Sequence, residues 1–157
     1  MSETDTAIRK TLKVPLEAPE AFHLFALRLA EWWPLASYSL SASEGKAATD
    51  LALDPRVGGR IVETRHDGNT ADWGEITVWR PARNIGIDWY VGRDPDQASH
   101  VALSFTPGGA GCVIELVHSR FDRMGAAGAA AAANYDERWD FILGECFRRA
   151  CDAQIAS

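Results

Sequence analysis

The chain has 157 residues and a formal net charge of −6, with 46% hydrophobic and 24% charged residues. This length and composition fit one globular domain that buries roughly two-thirds of its unfolded surface. The negative charge argues against nucleic-acid binding, which depends on clustered Lys and Arg side chains that neutralise phosphates.

The cysteines and the apolar segments indicate the compartment. Cys112, Cys146 and Cys151 are odd in number and include no C-x-x-C pair. The first residues lack the basic and apolar regions of a signal peptide, and no apolar run approaches the ~20 residues that span a bilayer. We therefore expect a cytoplasmic protein with reduced thiols and no membrane partner.

The N-terminal part predicts one strand followed by helices. Ile8 to Val14 alternates apolar and polar side chains, which is typical of a half-buried strand. Pro19 then lies in the first turn of a helix whose apolar residues recur at helical spacing. Pro34 ends that helix, because a proline disfavours the α conformation of the residue before it. A short helical turn is expected at Leu35 to Leu40.

The middle of the chain predicts a meander of six strands. Turn-forming residues separate them, and connections this short favour antiparallel pairing. The glycine pair Gly58-Gly59 is interpreted as a tight turn or bulge at the start of a strand. The predicted strands are Ala47–Leu53, Gly59–Arg65, Asp72–Trp79, Ile85–Val91, His100–Thr106 and Cys112–His118.

The C-terminal part predicts one long amphipathic helix. Met124 to Ala133 is almost entirely Gly and Ala, which indicates a loop or a frayed helix. From about Asn134 to Ala153 a wide apolar stripe recurs at helical spacing. The stripe consists of Tyr135, Trp139, Ile142, Leu143, Cys146 and Ala150.

These elements predict an α+β fold in a single domain, residues 1–157, with its core at about residues 8–153. Seven antiparallel strands have one face to bury, and the long helix is the one predicted element large enough to cover it. We therefore expect a curved sheet that wraps around the C-terminal helix, with short helices between the first two strands.

An ordered set of motifs along the chain resembles the SRPBCC superfamily, the START and Bet v 1-like helix-grip proteins. The closest branch resembles the bacterial family named after the activator of the Hsp90 ATPase. The resemblance covers roughly Ile8 to Ala150. The motifs are Pro19-x-Ala21-Phe22-x-x-Phe25, Trp32-Trp33-Pro34, Asp54-Pro55-Arg56-Val57-Gly58-Gly59-Arg60, Trp73-Gly74-Glu75, Trp79-x-Pro81, Leu116-Val117-His118-Ser119 and Tyr135-x-x-x-Trp139.

The resemblance implies a helix-grip fold with a cavity between the sheet and the long helix, commonly used for apolar ligands. It does not imply one activity, because relatives include carriers, aromatic cyclases and co-chaperone modules. One departure concerns Arg138, which stands where such relatives usually carry glycine. Its long cationic side chain is expected to narrow or charge one mouth of the cavity.

Strand parity predicts which side chains face inward. In the three predicted strands that begin at Ile85, His100 and Cys112, alternate residues share one face. Together with the apolar stripe of the C-terminal helix, these faces predict an aromatic wall of a cavity. The alternative is that these side chains simply fill the core. The predicted lining is Trp89, Phe105, Leu116, His118, Tyr135, Trp139 and Ile142.

Three residues are candidates for acid–base chemistry, although no catalytic residue is assigned. Glu63 and Glu75 lie on adjacent strands, where two close carboxylates can split their pKa values. The alternative is that they pair with arginines on the solvent side. His118 ends an inward-facing row, where a structural, hydrogen-bonded histidine is the alternative to a catalytic one.

No pattern indicates a metal ion or another cofactor. The remaining histidines, His23, His66 and His100, lack the ligand spacing of a zinc site. The glycine pair is not followed by the Lys-Ser/Thr of a phosphate loop, and no G-x-S-x-G is present.

The leading functional hypothesis is a cofactor-free protein that binds a small apolar or aromatic molecule. One alternative is a cyclase or dehydratase on the same scaffold. The other is an interaction module with a chaperone partner, and a homodimer is left open.

Overall fold

The computed structural model describes residues 7–156, which form one seven-stranded antiparallel sheet and a set of helices. The order across the sheet is β1-β7-β6-β5-β4-β3-β2, so the first strand pairs with the last. The strands are β1 (Ile8–Val14), β2 (Asp50–Leu53), β3 (Arg60–Thr64), β4 (Thr70–Arg80), β5 (Asn84–Trp89), β6 (Ser99–Gly108) and β7 (Gly111–Ser119).

Two short helices follow β1, and a long helical region follows β7. The helices are α1 (Ala18–Leu27), α2 (Leu29–Trp32), α3 (Gly128–Phe141) and α4 (Arg148–Ala156). A π-helical segment, Ile142–Phe147, joins α3 to α4, and we call residues 128–156 the C-terminal helix. Short 3₁₀ segments lie at Ala42–Glu44, Pro95–Gln97 and Phe121–Ala127. The predicted α+β class and helix-grip architecture are confirmed.

The C-terminal helix begins earlier than the sequence predicted, at Gly128 instead of Asn134. Gly125 has φ 64°, a left-handed conformation that turns the chain, and regular helix begins just beyond it. Ala131 and Ala132 are buried, so the high helix propensity of the alanines combines with packing against the core. The glycines therefore set the boundary of the helix and do not fray it.

The segment from Leu35 to Leu40 was predicted to add a helical turn. It consists of hydrogen-bonded turns, in which the backbone N–H of Tyr38 donates to the carbonyl of Pro34 over 2.9 Å. This irregular path places the segment beside the C-terminal helix, where it borders the cavity described below.

Two β-bulges in β4 change which of its side chains face the core. The first leaves Trp73 as the extra residue opposite β3, and the second leaves Thr77 as the extra residue opposite β5. Each extra residue reverses the alternation beyond it. Val78 is consequently 38% exposed, whereas Trp79 packs against the core.

The core lies between the concave face of the sheet and the helices. The inward-facing rows predicted for β5, β6 and β7 are buried there, and Trp139 of the C-terminal helix is only 1% exposed. The buried strand residues are Ile85, Ile87, Trp89, Val101, Leu103, Phe105, Ile114, Leu116 and His118.

Replacing Trp139 with alanine tests the packing of the helix on the sheet. Because the indole is almost fully buried, Trp139→Ala should lower the free energy of unfolding by ~3–5 kcal/mol in urea titrations. The control Ile155→Ala removes a side chain that is 58% exposed on the same helix. It should change the stability by less than about 0.5 kcal/mol. A loss below ~1 kcal/mol for Trp139→Ala would contradict this packing.

Candidate functional site

Four tryptophans fill the space between the sheet and the C-terminal helix. The ring of Trp33 lies 5.3 Å from that of Trp73 and 6.0 Å from those of Trp89 and Trp139. We call these four residues the indole cluster. The space left among them and their aliphatic neighbours is about 10 Å³, room for about one water molecule. The interior is therefore filled by side chains at this depth.

A cavity of about 330 Å³ opens beside the indole cluster. It lies between the segment 37–43 and the C-terminal helix. Its aromatic and aliphatic walls are Trp33, Leu40, Trp73, Trp89, Val91, Tyr135 and Ile142. Its polar and small residues are Ser37, Tyr38, Ser39, Ala42, Ser43 and Arg138.

The predicted lining residues divide between this cavity and the core. Those that border the cavity are Trp89, Tyr135 and Ile142. Those that do not are Phe105, Leu116, His118 and Trp139. Strand parity correctly predicted that their side chains face inward, but the indoles fill the interior at that depth, and the cavity lies at one end of it.

Tyr135 lines this cavity and carries a hydroxyl group. Its oxygen accepts a hydrogen bond from Nε1 of Trp89 over 3.1 Å. Burial raises the pKa of Tyr135, and the hydrogen bond from Trp89 and the charges of Arg138 and Arg93 only partly offset this. The phenol is therefore protonated at neutral pH. Among residues 7–156 no acceptor takes its proton, so the hydroxyl can donate to a ligand.

Arg138 adds a positive charge at the same place. Its guanidinium carbon lies 5.3 Å from the ring centre of Tyr38 and 5.5 Å from that of Tyr135. Cation–π attraction holds the side chain between the segment 37–43 and the C-terminal helix. The expectation that this arginine charges one mouth of the cavity agrees with its position there.

Glu63 is fully buried and supports the wall of the cavity. Its carboxylate accepts hydrogen bonds from the backbone N–H groups of Leu40 and Ser41, from the Ser41 hydroxyl and from Nε1 of Trp73, all within 3.0 Å. Burial alone would raise the pKa of Glu63, but these bonds outweigh it and the net pKa is lowered. The carboxylate therefore stays charged and anchors the segment 37–43 to β3 and β4.

Glu75 does not form an acid–base pair with Glu63. The bulge at Trp73 turns Glu75 to the opposite face of the sheet, where its side chain is 45% exposed and lies 4.0 Å from a guanidinium nitrogen of Arg60. The hypothesis that these two carboxylates form an acid–base pair is therefore wrong. Glu75 instead lies beside Arg60 on the solvent side, which is the alternative that the sequence left open.

His118 is fully buried and has both ring nitrogens engaged. Nδ1 accepts a hydrogen bond from Nε1 of Trp139 over 3.0 Å, so the ring proton of the neutral imidazole is on Nε2 and donates to the hydroxyl of Ser99 over 2.7 Å. Burial, with a smaller contribution from the charge of His100, lowers the pKa of His118 to about 3. These contacts fit the alternative that His118 is a structural, hydrogen-bonded histidine.

Sequence reasoning missed the contribution of the segment 37–43. Tyr38 and the serines around it carry no motif, and Trp33 and Trp73 were noted only as parts of fold motifs. The accumulation of serines directly after Pro34 is the one signal that marks an irregular, polar segment there. No group of three or more His, Cys, Asp or Glu side chains in the described part of the chain has an arrangement that could hold a metal ion.

Comparison with known proteins assigns the family. The family model described as activator of Hsp90 ATPase homolog 1-like protein matches residues 26–142. The chain belongs to this family. No curated protein matches the sequence. No helix in the described range is both long and apolar enough to cross a membrane.

Solved structures share the fold of this family member. An anthrahydroquino-γ-pyrone synthase is 31% identical, with a TM-score of 0.59 over 87% of this chain and 90% of its own. An AHSA1-like protein from Aeromonas hydrophila is 18% identical, with a TM-score of 0.65 over 97% of this chain and 96% of its own. A protein from Rhodobacter sphaeroides is 17% identical, with a TM-score of 0.67 over 96% of this chain and 93% of its own. The last two similarities concern the fold alone.

Replacing Glu63 tests its role in holding the cavity wall. Glu63→Gln removes the charge and turns an amide N–H₂ toward backbone donors, so it should lower the stability by about 2–3 kcal/mol. Amide hydrogen exchange of Leu40 and Ser41 should accelerate. Glu75→Gln, the same change on the solvent face, should cost under about 1 kcal/mol. Equal effects of the two variants would show that the four hydrogen bonds to Glu63 contribute little.

The pH dependence of stability tests the environment of His118. Its folded pKa of about 3 lies below the ordinary value of 6.5, so the unfolded chain binds the proton more readily. Wild-type stability should fall below pH 6.5, by up to about 1.4 kcal/mol per pH unit from this group. His118→Gln should be less stable at pH 7.5 but should lack this loss.

Urea titrations of both proteins from pH 7.5 to 4 should therefore converge toward acid pH. The control His23→Gln, at an exposed helix position, should retain the wild-type slope. Parallel curves for wild type and His118→Gln would show that this histidine is not held neutral. Because His118 lies outside the cavity, its substitution should leave the affinity of a cavity ligand nearly unchanged.

Proposed function

We propose that the protein binds a small, planar aromatic molecule in the 330 Å³ cavity beside the indole cluster. The observation that carries this proposal is the composition of the wall: aromatic rings surround the opening, and several hydroxyl groups and one guanidinium line it. Ligand pockets combine these features, an apolar wall with a few placed polar groups, and their volumes begin at roughly 300 Å³.

The walls favour a flat ligand over a branched or flexible one. Trp33, Trp89 and Tyr135 border the cavity, and aromatic side chains bind aromatic rings by offset stacking and edge-to-face contact. A long acyl chain needs a deeper tunnel, and the space among the indoles amounts to only about 10 Å³. We therefore infer that fused-ring aromatics fit better than fatty acids.

A ring-closing enzyme is the second candidate function. The sequence identity of 31% to an anthrahydroquino-γ-pyrone synthase favours it. The earlier candidates for acid–base chemistry do not support it: Glu63 and His118 have their hydrogen bonds occupied, and Glu75 faces solvent. In such an enzyme the Tyr135 hydroxyl and the Arg138 guanidinium are the groups placed to polarise a substrate oxygen. The chaperone partner, the homodimer and the cytoplasmic location stay predictions.

Ligand capture tests the binding function. Native mass spectrometry of the purified protein should show a bound or added flavonoid or polyketide-like aromatic, and titration should quench or shift tryptophan fluorescence because the indoles touch the ligand. Fatty acids in the same panel should bind more weakly. Binding weaker than ~100 μM, about −5.5 kcal/mol, for every aromatic in the panel would contradict the proposal.

A pair of valine variants locates the site. Val91→Phe inserts a ring into the cavity wall and should weaken the binding of an aromatic probe at least about tenfold, or 1.4 kcal/mol. Val57→Phe makes the same change at a turn position that is 61% exposed and should leave the affinity unchanged. Equal affinities of the two variants would place the ligand elsewhere.

A further inference from the structure

The arginine at the cavity mouth contacts aromatic rings and has no carboxylate partner among residues 7–156. In the described range its guanidinium forms no ion pair and no hydrogen bond, and only its contacts with the two tyrosine rings are observed. The neighbours one helical turn away are Asn134, Tyr135, Phe141 and Ile142, none of which is acidic. The charge of Arg138 is therefore not neutralised along its own helix.

Three acidic residues lie within two positions of Arg138: Glu137 is exposed, and Asp136 and Asp140 are paired on another face of the helix. Lys10 of β1 lies 2.7 Å from Asp136 and 2.9 Å from Asp140. These two carboxylates flank Arg138 in sequence but point toward the β1 edge of the sheet. Among the described residues, neither these two carboxylates nor that of Glu137 forms an ion pair with Arg138.

A second arginine adds to the positive potential. Arg93 follows β5, and its charge acts together with that of Arg138 on the Tyr135 hydroxyl. The lining of the cavity contains no Asp or Glu side chain. In a chain with a net charge of −6, the described lining of the cavity thus has an arginine and no carboxylate. Such a local field concentrates anionic ligands.

We propose that the ligand of this cavity is an aromatic molecule that carries a carboxylate or a similar delocalised oxyanion, and that Arg138 binds this group. The inference rests on the proposed binding function and adds the charge of the ligand. A planar guanidinium suits such an anion because two parallel N–H groups can donate to two oxygens. Contact with the rings of Tyr38 and Tyr135 holds the guanidinium in position at the entrance of the cavity.

The geometry also sets the orientation of the ligand. The ring system enters first and stacks against Trp33 and Trp89, whereas the anionic group stays at the mouth beside Arg138. The Tyr135 hydroxyl, whose proton has no acceptor among the described residues, donates to an oxygen of the ligand. A neutral aromatic fills the same space but leaves the guanidinium without an anion, so it binds less tightly.

Two probes of equal shape and different charge test this inference. Anthracene-2-carboxylate and its neutral carboxamide are titrated by tryptophan fluorescence at pH 7.5 and low salt. Wild type should bind the carboxylate at least about tenfold more tightly, and the preference should shrink as salt is added. Arg138→Gln should lose the preference while binding the carboxamide as wild type does, and Arg138→Lys should keep part of it.

The control Arg149→Gln removes an exposed arginine from the same helix, outside the cavity lining, and should leave both affinities unchanged. Urea titration checks that all variants are folded. Equal binding of the two probes by wild type, or an unchanged preference in Arg138→Gln, overturns the inference but leaves the binding function in place. Failure of both probes to bind wild type overturns the inference and the proposed binding function together.

Discussion

Trp139 joins the two layers of this fold, and the rest of the core is arranged around it. Its ring contacts Trp33 and Trp89, and its N–H donates to Nδ1 of His118 on β7. This bond requires a neutral imidazole, which then donates from Nε2 to Ser99, and the Ser99 hydroxyl donates to the carbonyl of Trp89 over 3.2 Å. A buried polar network is stabilising only when every member has a partner, and here each of them does.

The filling of the interior determines where a ligand site can exist. Large indoles occupy the centre, and the cavity lies at the end where the C-terminal helix meets the segment 37–43. That segment has no regular secondary structure to hold it over most of its length. The buried Glu63 carboxylate supplies the missing anchor by accepting its backbone N–H groups. The position of the cavity thus depends on aromatic packing on one side and on a buried charge on the other.

The buried titratable groups Glu63 and His118 have structural roles, and the polar groups available to a ligand lie at the rim of the cavity. Glu63 and His118 bind protein donors and acceptors and have no free capacity directed at the cavity. Tyr135 and Arg138, at the entrance, keep a hydroxyl proton and a positive charge available. The family supplies the scaffold, and under the proposed function these two side chains of one helix distinguish one ligand from another.

The sequence by itself determined the architecture, because alternation, helical spacing and turn residues are local signals. The strands, their antiparallel pairing and the buried stripe of the C-terminal helix follow from such patterns. The earlier start of that helix did not, since the alanine run becomes helical through packing of Ala131 and Ala132.

Other features were decided only by the tertiary structure. The bulge at Trp73, which separates Glu63 from Glu75, arises from the pairing of two strands, and the sequence pattern left open which face each carboxylate occupies. The cavity depends on how much space four indoles leave, and the anchoring of the segment 37–43 depends on a carboxylate more than twenty positions away, since Glu63 and Leu40 are 23 residues apart. Volumes and contacts between distant residues are properties of the folded chain, because residue spacing along a sequence carries no record of them.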